Sequence, residues 1–435
     1  MTSDVSPLDV LEGFFGGLPD ESAVQGLASE QLDELGDLVQ QSAAASARER
    51  VPTGAVGELV YPGGWLASGW GQELFRVELS CALLYETRLL VHDPLAEYFF
   101  SDFRTLPKMR TIKGAVGSSI YAGPDLWANY GRRVHRGDDL EHVRHDLMRI
   151  VRFLLDVEPL LRSGVMVMRS QWPTLSRRQR HLMASAKADM ADAEMLAAAF
   201  ESGPQGGDLP RWDNLRGGHV TPPGGLLDPM DPAQWQPEFF YLAKSLAVAD
   251  AAGAVYTPAT RDELRLLIAK TGTIDRGRRT APTQPLLREV LSVVVPDLRL
   301  SPSAAVKIRS SEQSFEDWRI ALRDLQREAA TTDPTDLSEL VQDRIQPQVA
   351  AVTRAVSLSA TLREHAGPSA AAALLGTAGN LITGAGPVPS ATAAGLTGVA
   401  AWLMNAYGGR RTEGRQAVVA ALLTGRSSTG RNGSR

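Results

Sequence analysis

The sequence predicts an α-rich α/β protein: a small parallel or mixed sheet with helical crossovers, followed by a helical C-terminal region with a small-residue hairpin. Three observations predict it. A unit of helix, glycine, short apolar strand and breaker occurs over residues 138–168 and again over 233–258, with a looser version at Leu89. Strands alternating with helices fold as βαβ units. After Ser301 only helical periodicity remains. Between Glu364 and Arg410 the small residues recur at helical spacing with no formal charge from 366 to 409.

The elements follow in order. Residues 1–50 read as two or three short helices, the last with Leu32, Leu35, Leu38 and Val39 on one stripe. Residues 52–71, with Pro62, Gly63 and Gly64, read as a connecting loop. Leu74, Val77, Cys81 and Leu84 predict a helix over 71–86, which runs into the strand Leu89-Leu90-Val91. Pro94 ends that strand, because proline cannot donate to a ladder.

Residues 138–162 carry Leu140, Val143, Leu147, Ile150, Leu154, Val157 and Leu161 at alternating three- and four-residue spacing, a helix with one apolar seam. Gly164 stands where a left-handed cap belongs, and residues 165–168 read as a buried strand. The second unit has a helix over 233–252 with Trp235, Phe239, Leu242 and Leu246, then Gly253, a strand over 254–256, and Pro258. A helix over 261–270 follows, and 291–295 is a β-branched run. Residues 203–231 are a Gly/Pro-rich excursion.

In the C-terminal region Phe315, Trp318, Leu322 and Leu325 make one stripe, with Ser310 or Ser311 as its N-cap. Leu337, Val341, Ile345, Val352, Val356 and Leu362 make a second, kinked at Pro347, and the two helices form an antiparallel pair. The expected organisation is therefore acidic helices over 1–50, an α/β core over 51–300, a helical pair over 301–365, an uncharged hairpin over 366–409, and a basic, largely disordered tail over 410–435.

Composition excludes several classes. With 43% apolar and 22% charged residues in 435, the chain is neither disordered nor collagen nor a polytopic membrane protein. One cysteine, Cys81, excludes an intrachain disulfide and a multi-thiolate metal site. The N-terminus has no basic, apolar leader, so the expected compartment is cytoplasmic. Only six of the 45 basic residues are lysine, which reads as the bias of a GC-rich genome rather than a set of phosphate clamps. A net charge of −5 disfavours nucleic acid as a partner. Residues 1–50 carry ten acids and two arginines, and residues 408–435 six arginines and one acid.

In the uncharged segment Ala372, Gly376 and Gly384 recur at multiples of four, as do Ala391 with Gly395 and Ala394 with Gly398. Small residues at that spacing let two helices approach closely. Trp402 near the end, then Arg410 and Arg411, fit an interfacial anchor. A buried hairpin or oligomer interface is the favoured reading, with peripheral membrane association and a loosely ordered segment beside it. The interaction residues are Gly376, Gly384, Gly395, Gly398, Trp402, Arg410 and Arg411.

For chemistry, ligands of open α/β sheets bind beyond the carboxyl ends of the strands. His92 and Asp93 follow the first predicted strand, Arg169 and Ser170 the second, and Thr257 the third, with Glu97 and Asp102 nearby in sequence. A His/Asp pair suits acid–base work or a metal, and an Asp-Pro step equally suits a turn and helix N-cap. His92, Asp93 and Arg169 are the catalytic candidates. His142 and His145 fall off the seam of their helix and read as solvated, beside His135. Cys81 reads as a buried structural thiol. Arg276, Arg278 and Arg279 lack the interleaved aromatics of a nucleic-acid groove. No dinucleotide fingerprint, Walker A sequence or nucleophile elbow is present, so neither cofactor nor metal is implied.

Two functions of different class fit. The favoured one is a non-enzymatic cytosolic protein that associates with itself, a protein partner or a membrane surface through the 366–409 hairpin. The alternative is an enzyme, hydrolytic or nucleotide-directed, with its site at the strand ends near His92 and Asp93.

Overall fold

The computed structural model describes residues 5–52, 59–62, 82–99, 111–113, 119–121, 139–201, 237–257, 265–270, 300–329 and 337–358. Three helices open the chain: α1 (Pro7–Phe15), α2 (Glu21–Gln25) and α3 (Ser29–Ser46). Ser6 starts α1 with a capping box, its Oγ accepting the Asp9 N–H at 3.2 Å while Asp9 Oδ2 accepts the Ser6 N–H at 2.7 Å. Asp20 caps α2 through Ala23 N–H at 2.8 Å.

Strand β1 (Leu59–Tyr61) lies inside the stretch expected to be a loop. Three residues are too few to carry a period, so the flanking proline and glycines dominated the pattern. Residues 82–85 are helical, so the helix expected over 71–86 ends one residue earlier, before Glu86; residues 71–81, Cys81 included, lie outside the described residues. β2 (Arg88–His92) and α4 (Pro94–Phe99) come next, then the antiparallel pair β3 (Thr111–Lys113) and β4 (Ser119–Tyr121).

The seamed helix is two helices, α5 (Leu140–Asp156) and α6 (Glu158–Arg162). The break falls at Val157, where Pro159, in the first turn of α6, removes a donor that a continuous helix needs. Val143, Leu147, Ile150 and Leu154 of the seam are buried, each worth about 1.5–3 kcal/mol when fully removed from water. Gly164 ends the pair at φ 68°, and β5 (Met166–Arg169) follows. Then come α7 (Trp172–Met190), α8 (Ala193–Glu201), α9 (Pro237–Ala252), Gly253 at φ 75°, and β6 (Val255–Tyr256). Residues 265–270 are helical.

The C-terminal helices are α10 (Pro302–Ser311), α11 (Gln313–Ala329) and α12 (Leu337–Leu358). Ser310 and Ser311 are not caps: both belong to the last turn of α10, and the capping serine is Ser301, whose Oγ accepts the Ala304 N–H at 3.2 Å. Helix α11 starts two residues after α10 ends, so a serine before it belongs to the preceding helix and signals no cap by itself. Helix α12 packs on α11 and carries Pro347 in its interior. The excursion over 203–231, the run over 291–295, and the whole hairpin with Gly376, Gly384, Gly395, Gly398, Trp402, Arg410 and Arg411 lie outside the described residues.

The main sheet has the order β5-β2-β1-β6, and every pairing in it is parallel. The chain winds outward from β1 through β2 to β5, then returns past β1 to place β6 on its other side. That is the doubly wound arrangement, with its switch point between β1 and β6. Strand alternation sorts the core into two layers. Leu89, Val91, Met166 and Met168 face a layer with α1–α6, α10, α11 and α12. Leu59, Tyr61, Leu90, Val167 and Tyr256 face a second layer with α7, α8, α9 and residues 265–270.

The acidic N-terminus is not left to solvent alone. Arg152 meets Glu21 at 2.7 Å, Arg162 meets Asp9 at 2.9 Å and also Glu12, and Arg144 Nε donates to the Leu27 carbonyl at 2.8 Å. Behind this charged seam α3 approaches α4 closely: a Cβ on Gly36 would stand 2.9 Å from the Phe99 ring.

Candidate functional site

The carboxyl ends of the four strands carry Arg169 on β5, His92 on β2, Tyr61 on β1 and Thr257 just after β6. His92 and Arg169 are register partners. The ladder continues one residue past each flank, with Asp93 N–H donating to the Arg169 carbonyl at 3.0 Å and Thr257 N–H to the Tyr61 carbonyl at 2.9 Å. All of these side chains are buried.

His92 stands two residues beyond Leu90 and so shares its face with Tyr61. Tyr61 Oη lies 2.6 Å from His92 Nε2, with the rings stacked at 5.7 Å and 18°. Tyr256 flanks Tyr61 at 6.3 Å. Arg169 donates to the Glu49 carbonyl. His92, Arg169 and Ser170, with Leu90, Thr174 and Val248, border a cavity of about 20 Å³. Such a volume admits about one water, and the four polar side chains on its wall suit one.

Asp93 does what the Asp-Pro step suggests. Its Oδ1 accepts Leu95 N–H at 2.9 Å and Ala96 N–H at 3.0 Å, capping α4. Burial raises its carboxyl to about 6 against the pull of those two donors. Glu97 lies one turn on. Burial pushes it up to about 8, opposed by the Trp172 indole N–H, the Lys244 ammonium and the Gln171 N–H, and reinforced by the Asp93 charge. Burial thus favours the protonated form of Glu97, and of the two carboxyls Asp93 is the more readily ionised.

The structure brings His92, Arg169 and Ser170 around one cavity. It places Asp93 and Thr257 on the same edge but not in that lining. Asp102 lies outside the described residues. His142 and His145 are exposed on α5, as their spacing predicts. Tyr61, Trp172, Gln171 and Lys244 were not singled out by sequence. Lys244 had a signal: it is a lysine in an arginine-rich chain, set in a helix that is apolar on all sides. Ser245 Oγ, one residue on, and Thr257 Oγ1, just after β6, are buried with no hydrogen-bond partner among the described residues. Also among these residues, no group of three or more His, Cys, Asp or Glu side chains is placed to hold a metal ion.

The fold and this edge define a doubly wound α/β protein with a titratable strand-end cluster. No family model matches the chain, nor does any curated protein or solved structure.

Proposed function

We propose that the protein is an enzyme of the acid–base type, hydrolytic or nucleotide-directed, working at the carboxyl edge of the sheet. One observation carries the reading: His92, paired with Tyr61 at 2.6 Å, borders a water-sized cavity with Arg169 and Ser170, and the Asp93–Glu97 carboxyl pair follows it directly in the chain. Titratable groups with displaced protonation cluster where acid–base chemistry is done. In this reading His92 takes a proton from a water in the cavity, with Tyr61 holding the ring. Arg169 offers positive charge to developing negative charge, and Glu97 is the acid. The buried hydroxyl of Thr257, which follows β6 on the same edge and has no hydrogen-bond partner among the described residues, suits the polar part of a ligand.

The test is turnover by the full chain of carboxylate esters, phosphomonoesters and nucleoside triphosphates. One class is expected to react, with His92→Gln lowering kcat by about 100-fold or more while thermal unfolding stays cooperative. The rate is expected to fall as pH passes about 8 and Glu97 loses its proton. No turnover of any class, or an undiminished His92→Gln, overturns the reading.

A second reading rests on sequence: association with itself, a protein partner or a membrane surface through residues 366–409, an uncharged run beside a six-arginine tail. Among the described residues no helix is long and apolar enough to cross a membrane. Liposome flotation and light scattering of the chain ending at Glu364, against the full chain, test it. If truncation changes neither partitioning nor mass, association through this segment is ruled out.

A further inference from the structure

The opposite end of the sheet holds a larger cavity, about 450 Å³, which is within the range of small-molecule sites. It opens beside Thr87 and Val165, the residues just before β2 and β5, so the full depth of the sheet separates it from His92. Leu160 of α6 and Ile320 of α11 contribute to its apolar wall. The charged wall has three guanidinium groups, Arg309, Arg319 and Arg323, against one carboxylate, Glu316.

These arginines are not equivalent. Arg309 donates to the carbonyls of Leu83, Glu86 and Thr87, the last two at 2.7 and 2.9 Å. Arg319 donates to the Leu84 carbonyl at 2.6 Å and to Glu316 at 2.8 Å. Both are tied to the fold, and they repel one another: burial first, then the Arg319 charge, lowers Arg309 to about 9. Arg323, one turn beyond Arg319 on α11, also borders the cavity, and its Nε is buried with no hydrogen-bond partner among the described residues. A buried donor without a partner costs about 1–3 kcal/mol, so this one is poised for an acceptor from outside the chain. Glu316 is already taken by Arg319 and its side chain is half-exposed, which leaves the cavity with excess positive charge.

We propose that this cavity is a binding site for a small organic anion: a carboxylate or phosphate group received by Arg323 under the field of Arg309 and Arg319, with an apolar body against Leu160 and Ile320. The site is separate from the strand-end edge and does not depend on the reading given to that edge.

Calorimetric titration of the full chain with benzoate, octanoate, phenyl phosphate and inorganic phosphate tests it. At least one organic anion is expected to bind. Arg323→Leu is expected to weaken that binding at least tenfold while leaving the unfolding temperature of the free protein equal or higher, since it removes an unsatisfied donor. Ile320→Phe, which fills the cavity from its apolar side, is expected to weaken the same ligand with Arg323 intact, and it serves as the test if Arg323→Leu does not fold. Failure of every organic probe to bind at millimolar concentration overturns the proposal. So does binding unchanged by the variants. Binding of inorganic phosphate alone, unaffected by Ile320→Phe, reduces the site to surface ion pairing and overturns it as well.

Discussion

At the amino end of the sheet Arg88, Arg309 and Arg319 direct their guanidinium groups to main-chain carbonyls: Gly164 and Pro52 for Arg88, Leu83, Glu86 and Thr87 for Arg309, Leu84 for Arg319. At the carboxyl end His92 meets a tyrosine hydroxyl and Glu97 an indole N–H and a lysine field. The residues around 82–87 end a helix, whose last carbonyls lack intrahelical donors, and a cation there completes them. A charge bonded to backbone holds a shape. A charge facing other side chains that titrate near neutrality can change state without changing the shape. Arg169 is the exception at the carboxyl end, since it too donates to a main-chain carbonyl, that of Glu49.

The sharpest break of this contrast is Arg309→Ala. It strands the carbonyls of Leu83, Glu86 and Thr87 in a buried setting, and a loss of about 3–5 kcal/mol is expected, read as the shift of a urea midpoint. A loss below about 1 kcal/mol would show that these bonds do not hold the amino end together.

Glu97→Gln gives the next largest effect, and it depends on pH. Folded Glu97 keeps its proton up to about pH 8, whereas in the unfolded chain it loses it near the ordinary 4.5. The native state therefore holds the extra proton across that window, and the stability this confers is lost as pH rises through about 8. Wild type is expected to lose a few kcal/mol between pH 5 and pH 9. The glutamine variant, which accepts from Trp172 and carries no charge, should lose only the part due to Asp93 below about pH 6 and hold its midpoint from there to pH 9. Parallel pH profiles for the two would place the titration elsewhere.

The smallest effect separates the two jobs of Asp93. Asparagine keeps an acceptor for Leu95 and Ala96, so Asp93→Asn is expected to change stability at pH 7 by less than about 1 kcal/mol, while Asp93→Ala loses about 1–2 kcal/mol with the cap. Thermal unfolding followed by helical dichroism distinguishes the pair. Equal losses would mean that the carboxylate charge, and not the cap, is what the fold requires.

What sequence reveals and what it hides divide along physical lines. β2, β5 and β6 were legible because each is a short apolar run ended by a polar or proline breaker, and two of them follow a glycine in the left-handed region. β1 was not, for want of length. α7 was missed for a different reason. Its buried positions include Thr174, Ser185 and Asp189 beside Leu175, Leu182 and Ala186, so the inward face is half polar and no apolar stripe exists to find. That polar face is satisfied from outside the helix, by Lys270 Nζ at 2.6 Å from Asp189 Oδ1 and 3.0 Å from Ser185 Oγ. The same limit applies to the site. His92, Asp93 and Arg169 announce themselves by ending strands. Tyr61, Trp172 and Lys244 join them only through the order of the strands, which no local pattern encodes.

One core layer joins Leu8 of α1 to Trp318 of α11 and Val352 of α12, and Arg309 closes on the carbonyl of Leu83 across 226 positions. A nascent chain emerging from the ribosome thus holds Tyr85 and the side of α5 that meets α10 open until residues beyond 300 have been made. Contacts of such sequence separation slow folding and lengthen exposure to aggregation. Fragments that stop before α10 are expected to need a chaperone or to precipitate, and expression trials of this protein should keep α10 and α11 with the sheet.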